Sequence, residues 1–142
     1  MKNKYYKFIL ILLIFFNYNI TKAEVSYFND GKKLFDNKKY EKSKFIFEKD
    51  IVFNPKNENS YLYLAKIFKE KKEDNLEESH LKTVILLNPK NEEATYLLAL
   101  LNIKRSNFSK SEELIKNFKV ICVKFCSKKK ELEEKLDNSL KK

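Results

Sequence analysis

The chain has 142 residues but only one Gly and two Pro, whereas average usage gives roughly ten and about seven. Many tight β-turns need Gly or Asn at positive φ, and phosphate-binding loops need two or three glycines. The composition therefore disfavours a β-sandwich or barrel, excludes a glycine-rich phosphate site and favours one helical domain. The formal net charge is +10, but Arg105 is the only Arg among 30 basic residues. Because nucleic-acid readers depend on Arg for bidentate contacts, we expect no nucleic-acid partner.

Residues 1–23 have the three-part pattern of a secretory signal peptide. Three lysines precede an unbroken apolar run at residues 8–16, and small residues Thr21 and Ala23 precede a cut after Ala23. A membrane-spanning helix needs about 20 apolar residues, so this run is too short. We expect cleavage and export, most simply to a bacterial periplasm, with no integral membrane span afterwards; retention of the segment as an anchor is the alternative. The mature chain, residues 24–142, has 26 basic and 20 acidic residues and a formal net charge of +6.

A repeat follows the N-terminal segment. Residues 54–58, Asn-Pro-Lys-Asn-Glu, recur as residues 88–92, an offset of 34. On this period the chain divides into three copies, and in each copy apolar residues recur three, four and seven apart in two stretches, as on amphipathic helices. Pro55 and Pro89 would end the second helix of their copies. The copies are residues 24–57, 58–91 and 92–122.

The helices are expected in chain order as three pairs and one final helix. The pairs contain residues 27–35 and 40–52, then 61–68 and 76–85, then 96–103 and 108–121. A last helix over about residues 128–141 has Leu132, Leu136 and Leu140 on one stripe and Lys or Glu elsewhere. A helix with one apolar face and a polar outer face would cover the exposed last face of a stack of repeats.

This pattern resembles the tetratricopeptide repeat (TPR) family, a 34-residue helix–turn–helix with Pro at its end. The family's small residue in the first helix matches Gly31, Ala65 and Ala99. The resemblance covers about residues 24–122 and implies an all-α fold, an α-solenoid of about three repeats with a C-terminal capping helix. Because three repeats are near the minimum for a stable solenoid, self-association of the chain is compatible with this architecture. Further matches are Tyr40, Ser43, Phe47 and Pro55, then Leu81 and Pro89, then Phe108 and Ser111.

The sequence departs from the family pattern in three ways, one of which is that the third copy lacks the closing Pro and runs into the Cys pair instead. The aromatic-then-small pair that opens the second helix stands in the middle copy as Leu76 and Ser79, two residues late. This predicts a turn about two residues longer and a shorter helix after it. The late small residue of the family is replaced in all three copies, by Asp50, Val84 and Phe118.

The resemblance also implies a concave groove, lined by the first helix of each pair, that binds a peptide or protein. Aromatic and aliphatic residues with several Lys suit an extended or helical peptide of some acidic character. In the alternative, much of this apolar surface is core between helices or lies under the final helix. By register the groove residues are Phe28, Asn29, Lys32, Phe35, Leu62, Tyr63, Lys66, Lys69, Tyr96, Leu97, Leu100 and Lys104. The family's clamp for chaperone C-terminal carboxylates is not kept, because Phe28, Lys32, Tyr63, Glu93 and Leu97 stand at its positions.

No residues form a catalytic or metal-binding pattern, and we expect no enzyme activity and no cofactor. His80 is the only His, next to acidic residues on a predicted helix, and we expect it to be solvated. Two Cys and one His cannot supply a four-ligand zinc site. Cys122 and Cys126 have C-x3-C spacing, unlike the C-x2-C of redox sites. Export favours a structural disulfide between them, with buried free thiols or a catalytic pair as alternatives.

The sequence thus predicts a non-catalytic protein–protein interaction or scaffold module in the bacterial envelope. Two other functions stay open. One is a Lys-rich adaptor to anionic envelope surfaces, to which the run at residues 128–130 would contribute. The other is a thiol-redox protein that uses the two cysteines.

Overall fold

The computed structural model describes residues 27–141. The expected signal peptide and its cut after Ala23 lie outside this range. Within it the chain forms seven α-helices, a single 3₁₀ turn and no strand. This confirms the all-α solenoid of three helix pairs and a final helix. The elements are α1 (Tyr27–Asp36), α2 (Tyr40–Phe53), α3 (Glu58–Glu70), α4 (Asp74–Leu87), α5 (Glu92–Lys104), α6 (Phe108–Ile121), the 3₁₀ turn (Cys126–Lys128) and α7 (Lys129–Leu140).

The helices pack in chain order. Within each pair, α1 lies on α2, α3 on α4 and α5 on α6; between pairs, α2 contacts α3 and α4 contacts α5, while α7 packs on α5 and α6. Connections of three or four residues make neighbouring helices antiparallel. The repeat stack therefore has two edges. We call the edge with the connections inside repeats (37–39, 71–73 and 105–107) the turn edge, and the edge with the connections after each repeat (54–57, 88–91 and 122–125) the junction edge.

At the turn edge each first helix ends in the same way. Lys38, Lys72 and Ser106 have φ of 57°, 60° and 58°, in the left-handed region, and lie 34 residues apart. The N–H of the next residue then donates to a carbonyl five residues earlier, which is the Schellman ending of a helix. The three bonds are each 2.9 Å long and join Lys39 to Leu34, Glu73 to Phe68 and Asn107 to Asn102.

The expected longer middle turn is wrong. α4 begins at Asp74, one period after Tyr40 begins α2, and both helices have 14 residues. The physical reason is that backbone hydrogen bonds around Lys72 set the turn, so no aromatic is needed to open α4. Asp74 takes the aromatic's position, and its Oδ1 lies 2.6 Å from Nζ of Lys104 in the next repeat.

The first junction is built around a buried carboxylate. Asp50 is 1% exposed and stands where the family has a small residue. Its oxygens accept hydrogen bonds from Asn54 Nδ2 (3.0 Å), Asn57 Nδ2 (2.7 Å) and Ser60 Oγ (2.5 Å). Asn57 also caps α3 by accepting from the Asn59 N–H. A buried acid is tolerated here because it is fully hydrogen-bonded, and the network ties α2 to the start of α3.

The end of the third repeat is closed by a disulfide instead of Pro. Cys122 and Cys126 are bonded to each other. The carboxylate of Glu92, at the start of α5, accepts the N–H groups of Val123 (2.8 Å), Lys124 (2.9 Å) and Phe125 (2.8 Å). These hydrogen bonds hold the pKa of Glu92 below its usual 4.5, and the bond from the Phe125 N–H contributes most to that effect. The disulfide loop is thereby fixed against α5.

The final helix contributes two leucines to the core. Leu132 is fully buried and Leu136 is 8% exposed, whereas Leu140, the third residue of the predicted stripe, is 52% exposed. α7 thus covers the last repeat over its first two turns only.

Candidate functional site

The structure places the twelve predicted groove residues on α1, α3 and α5, but not all at an open surface. Three are buried in the core, at 5% exposure for Leu62 and 8% for Tyr96 and Leu97. Phe28, Lys32, Phe35, Tyr63, Lys66 and Leu100 are half-buried, and Asn29, Lys69 and Lys104 are exposed. Leu62 and Tyr96 are packed in the core, whereas Leu97 lines the cavity described below.

Tyr96 is covered by the C-terminal part of the chain. Its hydroxyl donates to Oε1 of Glu131 in α7 at 2.9 Å, and Nζ of Lys128 lies 5.7 Å from the ring centroid. Burial and the hydrogen bond to Glu131 raise the pKa of Tyr96 to about 12. Family register could not reveal this contact, because Glu131 lies in the helix that follows the repeats.

At the other end of the concave surface, Tyr63 is the centre of an aromatic cluster. Its ring centroid lies 5.7 Å from that of Phe28 and 5.1 Å from those of Phe35 and Phe47. Nζ of Lys66 lies 4.7 Å from the Tyr63 centroid. The aromatic residues that the sequence assigned to a partner are therefore largely packed on one another, with half-buried edges open to solvent.

A cavity of about 550 Å³ opens where α3, α4, α5 and α7 meet. Its volume lies within the range of ligand pockets, roughly 300–1,000 Å³. One wall is apolar and the rest is polar, so it suits an apolar group attached to polar ones. The apolar wall is Leu97, Leu100, Leu101 and Ile103, and the polar lining is Lys69, Glu77, Lys104, Lys135, Asn138 and Ser139.

Glu77 is the unexpected member of this lining. It is 4% exposed, and within residues 27–141 no hydrogen bond reaches its carboxylate. Burial raises its pKa, which the charges of Lys69 and Lys104 partly oppose. In the middle copy the family pattern appears two residues late, which places Ser79 and not Glu77 at the small position. Strict 34-residue register aligns Glu77 with Ser43 and Ser111 instead, and that signal would have singled it out.

His80 is not solvated as expected. Its ring stacks on Phe68 with centroids 5.3 Å apart, and burial lowers its pKa from 6.5. It therefore has a packing role on the inner side of α4. Among residues 27–141, no three His, Cys, Asp or Glu side chains are grouped to hold a metal ion. No helix in the described part of the chain is long and apolar enough to cross a membrane.

Solved TPR domains share this fold. The first TPR domain of Spaghetti (RPAP3), bound to an HSP90 peptide, superposes with a TM-score of 0.71 at 16% identity, over 80% of this chain and 90% of that one. The TPR2B domain of yeast Sti1, in a complex with Hsp70, gives 0.71 at 14% identity, over 81% and 94%. The Yersinia enterocolitica type III secretion chaperone SycD, with a peptide of the translocator YopD, gives 0.67 at 13% identity, over 81% and 87%.

No protein-family model and no curated protein matches the sequence. At these identities the likeness establishes the fold, which is that of a TPR domain, as the 34-residue period predicted.

Proposed function

We propose that this chain is a non-catalytic interaction module of the bacterial envelope, and that it holds a peptide segment of a partner protein on its concave surface. The observation that carries the proposal is the cavity of about 550 Å³ between α3, α4, α5 and α7, with an apolar wall and a basic rim. Solved domains of the same fold form complexes with an HSP90 peptide, with Hsp70 and with a YopD peptide. These complexes support a peptide as the class of ligand.

The lining indicates what such a peptide would carry. A large apolar side chain would fill the space against Leu100 and Ile103. Acidic groups beside it would meet the Lys69 and Lys135 side chains, which form no salt bridge with the described residues. A backbone N–H or a hydroxyl could donate to Glu77. We therefore expect a peptide with an apolar anchor and neighbouring acidic residues.

The partner is not proposed to be a chaperone C-terminal tail. Of the positions where the family has its carboxylate clamp, Glu93 is acidic and forms a 2.7 Å salt bridge with Lys66, and Leu97 is buried. Neither presents a cation or an amide to a terminal carboxylate.

Export rests on the sequence of residues 1–23, and a structural disulfide is in keeping with an oxidising compartment. The test is expression in a bacterium, followed by cell fractionation and N-terminal sequencing. The proposal predicts a periplasmic protein that begins at Glu24. A protein confined to the cytoplasm would contradict it.

The groove itself is tested by a matched pair of substitutions, Leu100→Asp in the cavity and Leu86→Asp on the outer end of α4. Leu86 is 81% exposed, so Leu86→Asp should fold, and the thermal midpoint of Leu100→Asp checks that the half-buried site tolerates its substitution. Partner capture after mild cross-linking in cells should be lost in Leu100→Asp and kept in Leu86→Asp. Binding should survive moderate salt, unlike adsorption to an anionic surface through Lys alone. Equal capture by both variants would contradict a groove interaction.

A further inference from the structure

Exposed apolar side chains are concentrated at the junction edge. Of the nine large hydrophobic residues most exposed in residues 27–141, six lie there, at the ends of α2, α4 and α6. Val52, Leu86 and Val120 are 74%, 81% and 81% exposed and lie one 34-residue period apart. The other three are Phe53, Leu87 and Val123. The three parallel helices α2, α4 and α6 therefore bring equivalent apolar residues to one edge of the solenoid.

Three exposed lysines without a salt bridge in the described part of the chain lie near these apolar residues and recur with the same 34-residue period. Lys56, Lys90 and Lys124 each lie four residues after Val52, Leu86 and Val120, are exposed, and make no salt bridge with the described residues. The segments 52–57, 86–91 and 120–125 each contain one Lys and no acidic residue.

The acids that follow the first two segments are engaged in hydrogen bonds with other parts of the chain. The Glu58 carboxylate accepts hydrogen bonds from Asn88 (2.8 Å) and Asn91 (3.2 Å), and the Glu92 carboxylate accepts the three backbone amides of the disulfide loop. The turn edge differs, because its cations are interspersed with surface acids such as Asp36 and Glu41. The junction edge thus combines exposed apolar groups with three exposed lysines that form no salt bridge with the described residues, although the charge of Lys124 also acts on Glu92.

The chain also enters the solenoid from this edge. The Tyr27 ring, at the start of α1, stacks on Phe53 with centroids 5.5 Å apart, and Nζ of Lys49 lies 4.6 Å from the Tyr27 centroid. The described part of the chain therefore begins at the junction edge.

We propose that the junction edge rests on the surface of an anionic phospholipid bilayer. The apolar side chains enter the interface while the lysines contact lipid phosphates, as in other peripheral membrane surfaces. The cavity lies towards the opposite edge, because Lys69 and Lys104 are in the last turns of α3 and α5 and Glu77 is in the first turn of α4. Membrane contact would leave it open to a partner. The proposal is independent of what the cavity binds.

The chain has no Trp, so a single introduced Trp is an unambiguous probe. Leu86→Trp and Leu76→Trp place it at opposite ends of α4, both at exposed leucines, in the mature protein of residues 24–142. With vesicles of phosphatidylglycerol and phosphatidylcholine, emission of the Trp at position 86 should shift to the blue and be quenched by brominated acyl chains. Emission of the Trp at position 76 should not change. Equal quenching of both, or of neither, would overturn the proposal.

The lysines are tested by two triple variants with the same change in charge. Lys56→Gln, Lys90→Gln and Lys124→Gln remove the junction-edge cations; Lys38→Gln, Lys72→Gln and Lys110→Gln remove three from the turn edge. At about fivefold per Lys, the first set should weaken vesicle binding on the order of 100-fold. The second set should change it little, and equal losses would overturn the proposal. A concentration-dependent blue shift of the position 86 Trp without vesicles, with dimers in sedimentation, would assign the edge to a second copy and also overturn it.

Discussion

Gly31 in α1 and Phe47 in α2 are packed so closely that a Cβ on Gly31 would lie 2.7 Å from Cε1 of Phe47. The ring has no room to retreat, because Phe47 is fully buried. One and two periods later the same two positions hold Ala65 with Leu81 and Ala99 with Ile115. At these two positions the first repeat thus combines the smallest first-helix residue of the three repeats with the largest second-helix residue.

Gly31→Ala should therefore destabilise the fold, although Ala is favoured over Gly within helices by roughly 0.5–1 kcal/mol. Overpacking against a fixed ring costs about 1–3 kcal/mol, which outweighs that gain. Combined with Phe47→Leu, the substitution should cost less than the sum of the two single changes, by about 1 kcal/mol. Urea unfolding of the four proteins measures this coupling. Strict additivity would show that the two positions do not compete for space.

Lys38→Gly should stabilise the protein by about 1 kcal/mol, since the left-handed conformation costs a non-glycine residue about that much. Lys39→Gly is the matched control, because Lys39 has φ of −85° and gains nothing from Gly. The thermal midpoint should rise in the first variant and fall in the second. A fall in both would show that flexibility of the unfolded chain dominates at this turn.

His80 should make the fold sensitive to mild acid. Burial lowers the folded-state pKa below 6.5, against the smaller opposing charge of Glu48. The unfolded chain therefore takes up a proton first as pH falls below about 6.5, and stability decreases from there down to the folded-state pKa. His80→Phe keeps a ring on Phe68 and should flatten that part of the curve. Unfolding midpoints from about pH 7.5 to 5.5 provide the measurement; an unchanged slope in His80→Phe would contradict it.

Glu92→Gln should loosen the disulfide loop without unfolding the repeats. A neutral amide accepts more weakly than a carboxylate from the Val123, Lys124 and Phe125 N–H groups. Hydrogen exchange at these amides should accelerate while amides in the middle of α5 keep their protection. In the native protein the loop amide shifts should titrate with a midpoint below 4.5, because the folded-state pKa of Glu92 is lowered. A midpoint at or above that value would contradict the anchoring role.

Much of the fold could be predicted from local patterns in the sequence. The 34-residue period, the amphipathic spacing of apolar residues and the prolines at 55 and 89 predict where the helix pairs lie. Gly31, Ala65 and Ala99 occupy the same small-residue position in the three repeats. Residue types misplace the middle turn, because its length depends on backbone hydrogen bonds around Lys72 and not on an aromatic residue at the start of α4. Lys38, Lys72 and Ser106 adopt the left-handed conformation at the ends of the first helices, and Lys and Ser have no preference for positive φ from which this could be predicted.

The site was less predictable, because its accessibility depends on contacts between distant elements. Tyr96 lies on the groove face by register, yet Glu131, 35 residues later, covers it. The 34-residue register marks Glu77 as unusual, but its place in the cavity depends on the space that α5 and α7 leave beside it.

Peptide selection against the full-length protein, followed by NMR shift mapping of the selected peptides, tests the central claim of a concave peptide site most directly. We predict peptides with an apolar anchor and acidic neighbours, shift changes at Lys69, Glu77, Leu100 and Lys104, and at least tenfold weaker binding to Leu100→Asp, about 1.4 kcal/mol. Leu86→Asp should bind normally. Shift changes confined to the junction edge, or peptides that bind Leu100→Asp as well as the native chain, would contradict the claim.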